Sequence, residues 1–430
     1  MSNHFAKQTG IMDTQTQNPS AFRLILVGVI GNVMEWYDFA IYGFFAATIG
    51  RLFFPAEDAV VSLIASFGAF AAGFLVRPLG GLFFGRIGDL YGRQRAMFLS
   101  VLVMAIPTVL IGLLPTHASI GIMAPVLLVL FRMVQGLSVG GEFTSSLVFL
   151  AENAPSGKRA SYAVWGSWGA TAGTLLGSGI GYVVASLLTN EQLETWGWRI
   201  PFLMGGAIAF FGYWLRRGLK TEAPGGHSST PGKDVFAKHK WSMLRVVLLN
   251  IGFSVAFYTV FVFTVSFLQQ VSEFSEAKAL RNNAICMAFI LLVMPIAAKL
   301  SDKFGRKKVL ITGFLLLAIG AIPLFQVMGL GIRWVTIACE LGLSLGVGIL
   351  CGGMAVTNVE LIPREVRCTG LAFSYNIAVG IFGGITPMLV AWLLNYMNNP
   401  AAPGYWIAGT ATISLLTLIF SVRETYKEEI

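Results

Sequence analysis

Glu35 and Asp38 sit inside an apolar run that begins at Leu24, flanked by Asn32 and Tyr42. Counted from Asn32, the spacing i, i+3, i+6, i+10 places all four side chains on one face of a helix. At about 1.5 Å per residue the two carboxylates lie roughly 16 and 21 Å into the run, near the middle of a bilayer about 30 Å thick. A charge held there costs at least about 2.5–3.5 kcal/mol, so one that persists is a candidate for function. Arg132 lies near the middle of another apolar run, followed by Gln135 at i+3 and Glu142 at i+10. If the two helices face each other, one cation meets two carboxylates and a surplus anionic site remains. Glu35, Asp38, Arg132 and Glu142 are therefore the expected proton-coupling set. A carboxylate that exchanges its proton as its Arg partner changes ties proton movement to a conformational cycle. The plainer alternative is a static Arg132–Asp38 bridge that only holds this part of the chain together.

The side chains expected to meet a substrate are Asn32, Tyr42, Gln135, Trp165, Trp168, Tyr258, Tyr375 and Asn376. Aromatic faces, Trp36 among them, attract quaternary ammonium groups. Aromatics are also common packing residues, and for the rings taken alone packing is the favoured reading.

Two polar phrases occur twice. Asp89-Leu90-Tyr91-Gly92-Arg93 returns 213 residues later as Asp302-Lys303-Phe304-Gly305-Arg306, and Glu152-x-x-Pro155-x-x-x-Arg159 returns 208 residues later as Glu360-x-x-Pro363-x-x-x-Arg367. The same order at nearly the same offset means that one unit of about 210 residues is duplicated. Parallel repeats in a membrane chain place a substrate site between the halves. The phrases themselves read as a cytoplasmic gate of Asp89, Arg93, Arg95, Asp302, Arg306, Glu152, Arg159, Glu360 and Arg367. A carboxylate near a helix amino terminus, with cations that pair with the other half, can latch one face shut.

The elements that carry these residues are expected to be membrane helices. The 430 residues are 55% hydrophobic and only 12% charged, with a mean hydropathy of +0.72, whereas soluble chains carry about 25% charged residues. Spans are expected near 24–50, 59–84, 96–115, 121–150, 160–188, 200–215, 243–270, 282–299, 309–329, 334–360, 367–395 and 404–422. The fold class is thus an all-α membrane protein of twelve transmembrane helices in two pseudo-symmetric six-helix bundles. Expected boundaries are a tail at 1–23, a bundle at 24–215, a linker at 216–242 that contains Pro224-Gly225-Gly226, a second bundle at 243–422 and a short tail at 423–430. With both termini cytoplasmic, about 23 of the 30 Lys and Arg fall inside and only Arg51, Arg199, Lys278, Arg281 and Arg333 outside. That asymmetry explains the net charge of +9 as topology. Nucleic-acid binding is unnecessary, since no basic patch is interleaved with aromatics. The first apolar run is too long for a cleaved signal peptide and is expected to be retained.

Gly169, Gly173, Gly177 and Gly181 form a small-residue ladder for close helix packing. Gly380, Gly383, Gly384 and Pro387 mark an expected kink. Cys286, Cys339, Cys351 and Cys368 lack CxxC spacing, so helix packing is a better account than disulfides or metal. No cofactor or metal is expected: the chain has no HExxH, and its four His lie outside the spans.

Gly85–Arg95 resembles the loop signature of the major facilitator superfamily, and Arg132–Gly140 resembles its fourth-helix signature, which implies a part for Arg132 in proton coupling. Gly31–Phe39, Phe53-Phe54-Pro55, Arg77–Gly81 and Trp196–Phe202 look like the metabolite:proton symporter branch. The resemblance runs from Leu24 to Arg423 and implies a multi-pass protein of a bacterial inner membrane, in contact with the lipid bilayer. Its partners would be protons and a small polar metabolite moved inward, and a monomer is expected. Gln135–Thr144 most resembles the branch members that carry proline and betaine. A zwitterion also fits one Arg, one carboxylate and aromatic faces. A di- or tricarboxylate would want more intramembrane cations than Arg77 and Arg132, with Arg77 expected toward the inner end of its span. Organic-acid symport is the close alternative, and a channel or sensor a distant one. The resemblance departs where those members carry a long carboxy-terminal extension tied to osmotic sensing, which puts osmotic gating in doubt here. The fifth span lacks the Gly-Pro pairing of the superfamily's antiporters.

Overall fold

Every long apolar run becomes a helix, because in lipid a helix alone satisfies all its backbone groups within one segment. The computed structural model describes residues 21–81, 83–84, 93–139, 142–216 and 238–427. Asp89 lies outside these, as do the side chains of Arg93, Arg95 and Glu142. In chain order the main helices of the first half are α1 (Ala21–Phe44), α2 (Ala46–Phe53), α3 (Ala59–Leu75), α4 (Arg93–Leu113), α5 (Met123–Ser138), α6 (Glu142–Glu152), α7 (Arg159–Leu187) and α8 (Arg199–Arg216). Those of the second half are α9 (Lys240–Tyr258), α10 (Thr264–Gln270), α11 (Glu276–Phe304), α12 (Arg306–Met328), α13 (Arg333–Glu360), α14 (Arg367–Ile377), α15 (Gly384–Met397) and α16 (Ala402–Ser421).

Among the described residues, nine helical stretches are long and apolar enough to cross a membrane. They follow nine of the twelve expected spans to within a turn or two. Val103–Leu113 and Arg199–Ile208 are shorter apolar helices. The expected span 24–50 is broken at Phe45 between α1 and α2. Two of the crossings change pitch midway: a π-helical turn at Thr259–Phe263 joins α9 to α10, and another at Ala378–Gly383 joins α14 to α15. The second is where the glycine-rich kink was expected. Gly380 lies against the backbone of Phe74, Gly383 against the Tyr258 ring and Gly384 against the Phe74 side chain.

The halves meet along two seams, α7 on α11 and α3 on α15. In the duplicated unit α3 corresponds to α11 and α7 to α15, so the seams are the same contact made twice with the halves exchanged. The glycine ladder of α7 serves α1: Gly169 lies on the backbone of Val29, Gly173 on Val33, and Gly177 on Ala40 and Ile41. Gly181, at the end of the ladder, meets Phe45 and Leu280 of the other half. A side chain on Gly169 would come within 2.8 Å of the Val29 carbonyl oxygen, so only glycine allows this closeness.

Candidate functional site

α1 and α5 bring Asp38 and Arg132 together inside the first half, but not as a simple pair. The Arg132 Nη1 nitrogen is 3.9 Å from Asp38 Oδ2, and Gln135 stands between them. Arg132 Nη1 donates to Gln135 Oε1 at 2.8 Å, and Gln135 Nε2 donates to Asp38 Oδ2 at 2.8 Å and to Thr108 Oγ1 at 2.8 Å. The Thr108 hydroxyl of α4 donates to Asp38 Oδ1. Arg132, Gln135, Thr108 and Asp38 are all buried. The Arg132 guanidinium also lies 4.5 Å from the Tyr42 ring centroid and 4.8 Å from that of Phe39, so aromatic faces supply part of the solvation that water would give.

Glu35 corrects the expectation of one cation for two carboxylates. It faces Arg77 of the 59–81 span, with Nη2 3.7 Å from Oε1, and Arg77 is buried over the rings of Phe74 and Phe39. Two acid–base pairs are present rather than one pair with a surplus anion. Phe39 lies between the two cations, 5.6 Å from Arg77 and 4.8 Å from Arg132. Arg77 is thus a central residue, although its place in the sequence suggested the inner end of a span. The intramembrane position of Arg77 was readable, but its partner was not, since α1 and α3 have no fixed register in sequence. Thr108 was missed because a lone Thr in an apolar helix usually bonds its own backbone, and the Met104 carbonyl at 2.8 Å is the alternative acceptor for its single hydrogen.

A cavity opens beside these pairs, between the halves. From the first half it is lined by Trp36, Phe143, Leu147, Ser167, Ala170 and Thr171, and from the second by Asn250, Phe253, Ser254, Phe257, Tyr258, Cys351, Met354, Ala355, Asn358, Tyr375 and Val379. Trp36 is the centre of the aromatic wall, with ring centroids 5.8 Å from Phe143, 5.8 Å from Phe257 and 6.4 Å from Tyr258. Tyr375 packs against Phe143 with ring centroids 5.1 Å apart and the rings tilted by 31°. Asn250 and Asn358 exchange amide hydrogen bonds of 2.8 and 3.1 Å across the opposite wall. Tyr258 belongs both to the cavity and to the charge network, within electrostatic reach of Arg77, Glu35 and Arg132. Among the described residues, no Lys, Arg, Asp or Glu lines the cavity itself.

Of the other expected contacts, Tyr42 lies under Arg132 and donates to the Ser66 carbonyl. Asn32 donates to Ser146 Oγ at 3.0 Å and to the Gly166 carbonyl at 3.1 Å, which ties α1 to α6 and α7. Trp165 and Trp168 pack on each other at 5.5 Å away from the cavity wall, and Trp168 donates to the Leu291 carbonyl across the α7–α11 seam. Asn376 donates to the Ala372 carbonyl on its own helix. Two Gly-x-Ser-x-Gly strings, at 136–140 and 342–346, are not nucleophile elbows. Ser138 is the last residue of α5 and Ser344 lies within α13, so neither follows a strand.

At one end of the molecule the repeated phrases interlock. Asp302 of the second half accepts from the Ala160 and Ser161 amides at the amino terminus of α7, both at 2.9 Å, and from the Ser161 hydroxyl at 2.7 Å. Arg159 reaches Glu360 at 3.3 Å, and the sister residue Arg367 reaches Glu152 at 2.5 Å. Each half lends its arginine to the other half's glutamate. Arg306 holds the centre, 2.9 Å from both Asp302 and Glu360. Thr425 donates to Glu360 from beyond α16, and Glu424 accepts from the Arg306 and Lys307 amides. At the opposite end, Thr48 donates to Glu276 at 3.2 Å and Ser178 to the Leu280 carbonyl at 3.0 Å, so both ends are bridged.

The sequence model of the Major Facilitator Superfamily matches residues 28–374 and again 282–430. The chain belongs to the major facilitator superfamily. It is a multi-pass membrane protein with that superfamily's all-helical transporter fold. Its backbone is similar to the crystal structure of a D-xylose–proton symporter, with a TM-score of 0.78, 19% identity, and 95% of this chain and 99% of the other covered. Among relatives it is 36% identical to the proline/betaine transporter of Salmonella typhimurium, covering 94% of this chain and 83% of that protein. It is equally close to a glycine betaine/proline/ectoine/pipecolic acid transporter of Dickeya dadantii, at the same coverage. A citrate-proton symporter of Klebsiella pneumoniae is 32% identical, with 92% and 90% covered. In facilitator terms the cavity lies where the superfamily's alternating access requires it, enclosed by helices of both halves. The α7–α11 and α3–α15 seams are the surfaces along which the halves can rock.

Proposed function

We propose that this facilitator imports a small zwitterionic metabolite, such as proline or glycine betaine, by proton symport with alternating access. The observation that carries the reading is the cavity wall, where the rings of Phe143, Phe257 and Tyr258 converge on Trp36 with no charged side chain among the described lining residues. A quaternary or secondary ammonium group is attracted to such faces by about 0.5–2 kcal/mol each when desolvated. The hydroxyls of Ser254 and Thr171 offer a carboxylate its hydrogen bonds, beside the paired amides of Asn250 and Asn358. Arg77 behind Tyr258 adds a positive field without a direct ion pair. Citrate would bring several negative charges into a chamber with no cation among its described lining residues, which disfavours organic acids despite the citrate-transporting relative.

Proton coupling would run through Asp38. With Arg132 held by Gln135 rather than by the carboxylate, Asp38 can bind a proton while the cation keeps its other contacts. Twelve crossings complete the topology, with the 24–50, 96–115 and 200–215 segments added to the nine spans. Bundles at 24–215 and 243–422 would flank a cytoplasmic linker, and both termini would be cytoplasmic. The Glu360–Arg306 end then faces the cytoplasm of a bacterial inner membrane, and the monomer is the working unit.

The test is counterflow in liposomes holding the purified protein, run against labelled proline, glycine betaine and citrate with imposed pH gradients. Uptake of proline or betaine that collapses with a protonophore supports the reading. Competition by citrate or malate, with none from proline or betaine, would replace it with organic-acid symport.

A further inference from the structure

The second half holds a carboxylate that the Asp38 network does not use. Glu340 lies on α13, 3% exposed, at the interface with α11. Its Oε2 accepts from the Cys286 thiol at 3.6 Å, and its Oε1 is buried with no hydrogen-bond partner. The two helices run parallel in constant register: Glu340 meets Cys286, Gly348 meets Val293 and Gly352 meets Ala297, at offsets of 54 or 55 residues. That register sets Asn282 opposite Thr336, one turn from Glu340. Asn282, Thr336 and Ser344 are all buried polar side chains; Asn282 and Thr336 have donors or acceptors without a partner, and Ser344 interacts with the Cys286 thiol. Buried polar atoms are normally paired, so a patch of orphans around a carboxylate points to something that the patch binds.

Among the described residues, no cation balances this carboxylate. Cys286 on α11 and Cys339 on its own helix are the titratable neighbours in electrostatic reach among the described residues. From Val309 to Met328, α12 carries no titratable side chain, and Tyr182 of α7 and Tyr258 of α9 are not in reach. Arg333, two turns away, is exposed and stacked on Trp334. A lone ionised carboxylate in such surroundings is costly enough to neutralise itself instead.

We propose that Glu340 is a second proton-binding site, loaded in this closed state and independent of Asp38. The proton is held as a carboxyl O–H, with the Asn282, Thr336 and Ser344 oxygens within a turn as acceptors. When the α11–α13 face admits water, the O–H bond breaks, the proton passes to a water molecule and a hydrated carboxylate remains. A thiol is a poor ligand for a hard monovalent ion such as sodium, which favours the proton. The inference rests on the proton-symport reading.

The experiment measures the proton-to-substrate ratio from reversal potentials in liposomes, with labelled proline or glycine betaine as probe. In Glu340→Gln protein the ratio should fall by one proton per substrate, while counterflow exchange persists. An unchanged ratio overturns the proposal. So does a wild-type flux that follows a sodium gradient and loses that dependence in Glu340→Gln. If Glu340→Gln does not fold, Glu340→Asp keeps a titratable group and should displace the pH profile of uptake; an unmoved profile overturns the proposal. A wild-type protein whose uptake ignores the pH gradient would instead remove the symport reading itself, which separates the two failures.

Discussion

Asp38 has two neutral donors, Thr108 and Gln135, and a cation at 3.9 Å that reaches it through Gln135. This arrangement keeps the Arg132–Gln135 hydrogen bond whether or not Asp38 carries a proton. Asp38→Asn should therefore abolish accumulation driven by a pH gradient, by tenfold or more, and leave counterflow measurable; paired uptake and exchange assays check it. Gln135→Leu removes both the relay and one of Asp38's donors. It should lower proton-driven uptake while the protein remains monodisperse in detergent. In the cavity, Trp36→Ala removes the ring on which the aromatic wall converges. A loss of about 1–2 kcal/mol of ammonium attraction corresponds to a rise of roughly 5–30-fold in Kd for glycine betaine, read by isothermal titration. The polar stripe of α1 was legible because charges in lipid demand explanation. Its division was not: Asn32 anchors α6 and α7, Glu35 takes Arg77, and Asp38 joins Gln135. A helical period gives the face of a residue but not the neighbour that the face meets.

At the scale of elements, the α1–α7 contact sets how firmly the first half holds together. Gly169→Leu would drive its new Cβ to within 2.8 Å of the Val29 carbonyl oxygen and push the helices apart. Overpacking of this kind costs about 1–3 kcal/mol or more, so the melting temperature in detergent should drop by several degrees. Gly179, on the same helix, has open space where a Cβ would stand. Gly179→Ala should therefore leave the melting temperature unchanged or slightly raised, since alanine favours helix by about 0.8–1 kcal/mol. The glycine period announced close packing from sequence. That the ladder serves α1, with Gly181 alone reaching the other half, follows from the tertiary arrangement. The π-helical turns are similar: the Gly380–Pro387 cluster foretold an irregularity, whereas nothing in Thr259–Phe263 did.

For the molecule as a whole, the latch of repeated phrases decides which end is shut. Glu360 is fully buried and accepts from Arg306, Arg159 and Thr425. Glu360→Gln removes the anion that Arg159 meets across the halves, while Arg306 keeps Asp302, and breaking such a buried pair costs about 3–5 kcal/mol. The closed latch should lose population by about two to four orders of magnitude. Spin labels at the exposed Lys158 and Arg364, with Cys368 replaced, should then report a longer distance across that end. An unchanged distance distribution would mean that the latch does not set the closed state.

From the sequence alone came the duplication, the helical membrane class and the residues too polar for their surroundings, because each is written in composition or period. Lipid punishes any exposed charge or unpaired backbone group, so those constraints act locally and leave marks in the chain. Partner choice left no such mark. That Arg77 answers Glu35, that Gln135 intervenes between Arg132 and Asp38, and that Glu340 stands apart in the second half were decided by the register of helices distant in the chain. Register depends on how whole helix faces fit together, a property of packed surfaces that no single segment contains.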